Sequence, residues 1–167
     1  LIDALRMPQE LLAEALWEAL KAEPEVRAGA LLWIARVLSG AGRAEAVRLF
    51  DQGLAEARSC SAGSRGYLLQ NAAPIGATIT PGAADALAAE AAIGPSGRYV
   101  PMKLVFAMLS HGHETEGIEY LSRLEASENY PFEAAEQAFG TMKADAIRLA
   151  AFRSALRAMR HCMADPQ

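Results

Sequence analysis

The sequence predicts an all-α protein of about nine helices. Alanine dominates the hydrophobic residues, which make up 52% of the 167-residue chain, and alanine is the best helix former. Long β-branched runs are absent; the richest one, 77–80, ends at Pro81. Glycine and proline separate segments that have helical hydrophobic spacing. We therefore expect helix packed on helix, within a single domain spanning 1–167.

A spacing pattern near the N-terminus recurs 34 residues later. It pairs four positions: Leu12 with Ala46, Leu16 with Phe50, Ala19 with Gly53, and Leu20 with Leu54. Between the two copies lie a nearly all-apolar segment, 26–38, and a glycine-containing turn, 39–42. A helix, turn and helix recurring at this period is typical of helical-repeat proteins.

The first three helices are predicted over residues 8–22, 24–39 and 43–58. Pro8 suits the first turn of a helix, and Pro24 ends one helix and opens the next. The second helix is apolar on most sides, so we expect it to be sandwiched between neighbours, with Trp33 in the core. Gly53 costs the third helix about 1 kcal/mol relative to alanine. We expect this cost to be compensated by the close approach of a neighbouring helix at that position.

The middle of the chain, residues 59–80, is predicted to be an irregular insert. Its first part, SCSAGSRG, has the composition of a loop, and a short helix over 67–71 follows. Residues 72–80 are expected to be irregular. Thr80 and Pro81 then indicate a new start, a capping hydroxyl before a proline, for an alanine-rich helix to residue 93.

Four more helices are predicted over 101–110, 114–127, 132–140 and 142–163. The turn His111-Gly112-His113 separates the first two, and a break at 129–131 precedes the third. We expect the buried positions to be Leu104, Val105, Met108, Leu109, Ile118, Leu121, Leu124, Phe132, Ala135, Phe139, Ile147, Ala150, Ala151, Ala155 and Met159.

Three segments carry a family resemblance. GRAEAVRLFDQGL, residues 42–54, looks like the second helix of a tetratricopeptide repeat, with Ala46, Phe50 and Gly53 at the small, aromatic and small positions. EALWEALKAEP, residues 14–24, is similar to a repeat end. GHETEGIEYLSRL, residues 112–124, resembles the second helix again. The resemblance covers about half of the chain, and Arg58 stands where a closing proline would fall.

The resemblance implies antiparallel helical hairpins stacked as an α-solenoid whose concave surface binds a peptide or protein segment. A related HEAT-like or Sel1-like solenoid and a non-repeating helical bundle remain open alternatives.

Charge and hydropathy exclude several classes. A net charge of −4 argues against general nucleic-acid binding, which needs a basic footprint. No apolar run reaches the roughly 18 residues of a membrane span. Asp3 and Arg6 interrupt the apolar core that a signal peptide would need, so we take the cytoplasm as the default compartment. Because the chain lacks an initiator methionine, we expect an excised domain or a processed form. Cys60 and Cys162 are expected to be reduced and inert.

No motif predicts catalysis, a cofactor or a metal site. The segment HGHETE, 111–116, contains imidazole and carboxylate groups, but it lies in a turn and lacks a recognised metal-ligand spacing. The segment AGSRG, 62–66, falls short of a nucleophile elbow, and GPSGR, 94–98, lacks the spacing and lysine of a phosphate loop.

Six residues are candidates for contact with a partner. Tyrosine and asparagine supply area and hydrogen bonds at low entropic cost, and the last helix is basic. The candidates are Tyr67, Asn71, Tyr99, Tyr120, Arg153 and Arg157.

These observations predict a protein- or peptide-binding scaffold without catalysis of its own. Two alternatives from other classes stay open. One is a helical enzyme with a site near the loop 59–80. A deep pocket there, containing two or more ionisable groups with strongly shifted pKa values, would indicate it. The other is a structural dimerisation module. A large exposed apolar patch on the first or last helix, buried by a second copy, would indicate it.

Overall fold

The structure, a computed structural model, describes residues 9–40, 43–92, 97–127 and 129–164. Within these ranges the chain forms nine α-helices and no strand, which confirms the all-α prediction. The helices are α1 Gln9–Lys21, α2 Pro24–Leu38, α3 Arg43–Ser59, α4 Ala62–Ile79, α5 Ala84–Ala91, α6 Val100–Ser110, α7 Glu114–Arg123, α8 Phe132–Thr141 and α9 Asp145–Ala164.

Some predictions lie outside the described residues. They concern the lead-in 1–6, the helix start at Pro8, the turn residue Gly42, the last residue of the alanine-rich helix, Ile93, and most of the stop 94–97. The predicted start at Pro81 is confirmed as a 3-10 turn, Pro81–Ala83, that leads directly into α5, but the predicted cap is wrong, because the Thr80 side chain forms no capping hydrogen bond.

Consecutive helices pair, and each pair contacts the next. The pairs α2 with α3, α4 with α5, α6 with α7, and α8 with α9 are in contact. Their first members also contact one another in order, α2 to α4, α4 to α6 and α6 to α8. One apolar core cluster runs through all of these pairs. Its largest side chains with almost no exposure are Leu31, Leu32, Ile34, Leu49, Val100, Leu104, Val105, Met108 and Leu121.

Glycine lets two helices approach closely inside the pairs. A Cβ added at Gly53 in α3 would lie 3.1 Å from the Leu31 Cβ in α2 and 3.1 Å from the Leu32 backbone nitrogen. The predicted close approach is therefore confirmed. In α7, Gly117 also faces Met108 and Leu109 of α6, but an added Cβ would lie 3.4 Å from them, which is an ordinary contact distance.

The prediction of an irregular insert over 59–80 is wrong, because α4 is one continuous 18-residue helix there. The local sequence disfavours a helix there, since each glycine costs a helix about 1 kcal/mol and an interior proline about 3 kcal/mol relative to alanine. Tertiary packing overrides that preference, because α4 contacts α2, α3, α5 and α6. Its buried positions, Leu68, Leu69, Ala72, Ala73, Gly76 and Ala77, follow helical spacing with small residues that allow this crowding.

The expectation that Trp33 lies in the core is also wrong. Its side chain is 55% exposed, and Val26 in the same helix is exposed too. The neighbours of α2 cover one broad face, whose buried residues are Ala28, Leu31, Leu32, Ile34 and Ala35. Apolar composition did not distinguish that covered face from the uncovered one.

The C-terminal helices differ from prediction in extent and in what they bury. Helix α7 ends at Arg123 rather than at residue 127, because Leu124 adopts an extended conformation. Helix α9 begins at Asp145 and buries Ala151, Ser154 and Ala158. Two positions predicted to face inward, Phe139 and Met159, are instead exposed. Others predicted to be buried are half-buried: Leu124, Phe132, Ile147, Ala150 and Ala155.

Candidate functional site

An open groove of about 650 Å³ runs between α2, α4 and α6. Each helix contributes residues three or four apart, so each presents a single face to the groove. The lining residues of α2 include Gly29, Trp33 and Arg36; those of α4 include Tyr67, Asn71, Pro74 and Thr78; those of α6 include Lys103, Phe106 and Ser110. The three helices are the first members of successive pairs.

The walls of the groove are largely apolar and aromatic. Trp33 and Tyr67 are 55% and 70% exposed, although both are large side chains that gain from burial. Beneath them, the nearly buried Leu32 and Leu68 also line the groove. Exposed aromatic groups above an apolar floor are typical of surfaces that become covered by another molecule.

The charged groups at the groove are cationic. Arg36 and Lys103 line it from opposite helices, and the His111 imidazole lies at the end of α6. Of the described residues that line the groove, none is an aspartate or a glutamate. Nor does Arg36 or Lys103 form a salt bridge anywhere in the described part of the chain. A negatively charged group entering the groove would therefore meet cations that have no carboxylate partner.

The hydroxyl, amide and imidazole groups of the groove bond mainly to their own helices. Ser110 Oγ donates to the Phe106 carbonyl, and His111 Nδ1 lies 2.9 Å from the Ala107 carbonyl oxygen. Asn71 Nδ2 donates to the Tyr67 carbonyl at 3.1 Å, which leaves the amide oxygen of Asn71 available as an acceptor. Ser110 and His111, although adjacent, are thus each bonded to helix carbonyls.

The structure brings two of the six predicted partner residues together. Tyr67 and Asn71 share the groove face of α4. Tyr99 lies at a separate hollow, where it accepts a hydrogen bond from Arg98 at 2.8 Å. Arg153 and Arg157 are exposed on α9, away from the groove lining.

Tyr120 is placed in the core rather than on a binding surface. It is 3% exposed, so little of its area is accessible to a partner, although it lines a shallow hollow together with Asp85 and Arg123. The pKa of Tyr120 is raised to about 12, chiefly by burial and also by the Asp85 carboxylate, while the Arg123 guanidinium opposes the rise.

Arg157 has a structural role at the end of α7. Its Nη2 donates to the carbonyls of Ser122 and Leu124, at 2.8 and 3.1 Å. Carbonyls at a helix C-terminus lack partners within the helix, and a cation satisfies both the bonding and the dipole. The spacing of the arginines in α9 gave no indication of this contact.

The groove residues that the sequence did not indicate include Trp33, Arg36, Lys103 and Phe106. Their signal was the shared helical spacing of exposed positions on three neighbouring helices. It could be recognised only once α4 was known to be a helix between α2 and α6.

The histidines of the segment 111–116 serve the fold. His113 Nε2 lies 3.0 Å from the carbonyl oxygen of Thr78, near the end of α4, and so ties the α6–α7 turn to α4. Among the described residues, no group of three or more histidine, cysteine, aspartate or glutamate side chains could hold a metal ion. Cys60 and Cys162 are both free.

No family model, curated protein or solved structure matches the chain. The resemblance to tetratricopeptide repeats accordingly stays a prediction. In the described ranges, no helix combines the length and apolar character needed to cross a membrane.

Proposed function

We propose that this chain is a protein- or peptide-binding scaffold, built as a tetratricopeptide-like solenoid of helical hairpins, that holds its partner in the groove between α2, α4 and α6. The observation that carries the proposal is the groove itself, where exposed aromatic side chains meet cations without carboxylate partners.

The order of helix contacts supports the solenoid part of the proposal. Each pair packs on the next, and the first helices of the pairs form a continuous series. In a solenoid, this series lines one surface, and small rotations between repeats make that surface concave. The groove lies along three members of the series, as expected for a site that accommodates an extended segment.

The chemistry of the groove favours an acidic segment with large apolar side chains. Apolar groups would cover Trp33 and Tyr67, and carboxylates would pair with Arg36 and Lys103. A basic segment would place like charges together, which disfavours binding.

The alternative of an enzyme was tied to a loop over 59–80, whereas residues 62–79 form α4 and line the groove with one helix face. The group whose pKa rises to about 12, Tyr120, lies in the core and not in the groove lining. The groove therefore favours binding over the enzyme alternative.

Fluorescence anisotropy with labelled peptides tests the proposal. The probes are a library of acidic peptides containing aromatic residues and a matched library in which every acidic residue is lysine. We expect saturable binding of members of the acidic library and little binding of the lysine library. Equal binding of the two libraries, or none by either, would contradict the proposal.

Charge reversal in the groove locates the site. Arg36→Glu with Lys103→Glu should weaken binding by about tenfold or more, because both cations become repulsive. Arg153→Glu on α9, outside the groove, is the matched control and should leave the affinity unchanged. An affinity that is insensitive to the groove variant would place the site elsewhere.

A further inference from the structure

The last helix, α9, carries an exposed apolar stripe opposite its buried face. The stripe consists of Leu149, Phe152, Leu156, Met159 and Met163. Its spacing alternates between three and four residues, the heptad spacing of a helix that packs along another helix. All of these side chains except the half-buried Leu156 are exposed, and Met163 reaches 82%.

Arginines flank this stripe. Arg153 and Arg160 lie along one side of it, and Arg148 lies on the other side. In paired helices, charges at such flanking positions determine which partner is preferred. Arg153 and Arg160 are exposed, and neither forms a salt bridge within the described ranges. Phe139 of α8 extends the apolar surface, with its ring centroid 5.8 Å from that of Phe152.

The first helix, α1, has the opposite character on its own exposed side. Ala13, Trp17 and Leu20 form a second exposed stripe with helical spacing, and Trp17 is 63% exposed. Glu10 and Glu14 border this stripe and are also exposed. Lys21 on α1 pairs with Glu18 at 2.8 Å and places its ammonium 4.6 Å from the Trp17 ring centroid, so the exposed charges of α1, three glutamates and one lysine, are acidic on balance. Thus α1 and α9 both offer apolar side chains, and the net charges beside them are opposite in sign.

We propose that the stripe of α9 docks on the stripe of α1 of a second copy, so that the chains associate head to tail. The acidic border of α1 complements the arginines of α9, whereas an α9–α9 dimer would bring arginines together. An interface between different patches is heterologous, and it leaves one free patch at each end for further copies.

Burial of the two stripes supplies the driving force for association, because Trp17, Phe152 and Met163 are each at least half exposed and gain from removal from water. The proposal does not depend on the groove, which is lined by α2, α4 and α6.

Sedimentation velocity over a range of concentrations tests the proposal. We expect the mean mass to rise with concentration in wild-type protein. Phe152→Asp with Met159→Asp should weaken association by about tenfold or more, since it places carboxylates in the apolar stripe. Tyr67→Asp, at an exposed aromatic position that lies in the groove and outside both stripes, is the control and should associate as wild type does.

Charge reversal identifies the partner surface. Glu10→Lys with Glu14→Lys on α1, and separately Arg153→Glu with Arg160→Glu on α9, should each weaken association. An equimolar mixture of the two variants should restore it, because each reversed surface then meets an opposite charge. Circular dichroism of each variant checks that the helices are retained.

Several outcomes would overturn the proposal. A single monomeric species at every concentration excludes association. Association that survives the α1 reversal but not the α9 substitutions indicates an α9–α9 dimer instead. Association that is unaffected by the α9 substitutions places the interface elsewhere.

Discussion

Gly76 of α4 lies against the ring of Phe50 in α3. A Cβ added at Gly76 would stand 2.7 Å from Phe50 Cζ and would also meet Leu87 of α5. Three helices converge at this point because one of them has no side chain there. Gly76 lies within residues 72–80, which the local sequence predicts to be irregular, and its missing side chain is what lets α4 pack against α3 and α5.

Gly76→Ala should destabilise the protein although alanine favours helix. Overpacking against Phe50 and Leu87 costs about 1–3 kcal/mol, whereas the gain in helix propensity is about 1 kcal/mol at most. Urea unfolding measures the difference. Gly63→Ala in the same helix is the control, because no heavy atom lies within 4 Å of the added Cβ. It should be neutral or stabilising; equal stability of the two variants would contradict this packing.

The ion pair between Arg58 and Glu90 joins α3 to α5. Arg58 Nε and Nη2 donate to the two carboxylate oxygens at 2.8 and 2.6 Å. The Arg58 bonds outweigh the effect of burial and hold the pKa of Glu90 below its usual value. A carboxyl with a lowered folded-state pKa stabilises the protein above its unfolded-state pKa, and this stabilisation is lost as the pH falls through the folded-state pKa.

A double-mutant cycle with Arg58→Met and Glu90→Gln should give a coupling energy of about 0.5–1 kcal/mol at neutral pH, because both side chains are partly exposed. The coupling should decline as the pH falls below the ordinary glutamate range. The exposed pair Lys21 and Glu18 within α1 is the comparison and should couple more weakly. A coupling energy that does not change with pH would argue against the pair.

Tyr120 should lose its phenolic proton at a higher pH than an unperturbed tyrosine does. Its pKa is raised to about 12, chiefly by burial, so the folded protein retains the phenolic proton that the unfolded chain releases near pH 10. Stability is therefore complete below pH 10 and falls as the pH rises toward 12. Tyr120→Phe should reduce this loss in unfolding experiments at alkaline pH, while Tyr67→Phe should not. Tyrosinate absorbance provides an independent measure of the titration.

Substitutions at two adjacent residues of α2, Leu32 and Trp33, should differ strongly in how much they lower the free energy of unfolding. Leu32→Ala removes a side chain that is 2% exposed and should cost about 2–5 kcal/mol. Trp33→Ala removes a half-exposed side chain and should cost about 1 kcal/mol or less, yet it should weaken binding of acidic peptides in the groove. A Trp33 variant that unfolds as readily as the Leu32 variant would contradict the observed exposure.

The helices with strong periodicity were predictable. The buried stripe of Leu104, Val105, Met108 and Leu109 located α6, and Gly53 correctly indicated close helix packing. In these segments, local propensity and hydrophobic spacing agree, so the sequence pattern alone leads to the helix. In α4 they disagree, and its helical state depends on contacts with four other helices.

The all-α class and most helix positions follow from the order of residues, because a helix closes its hydrogen bonds within its own segment. The groove does not follow from it. Whether Trp33 is buried depends on which neighbour covers that side of α2, and residues distant in sequence set that arrangement. The groove joins Trp33, Tyr67 and Lys103 through the packing of α2, α4 and α6. Tertiary contacts, rather than local periodicity, therefore decide which apolar side chains form the core and which remain exposed for a partner.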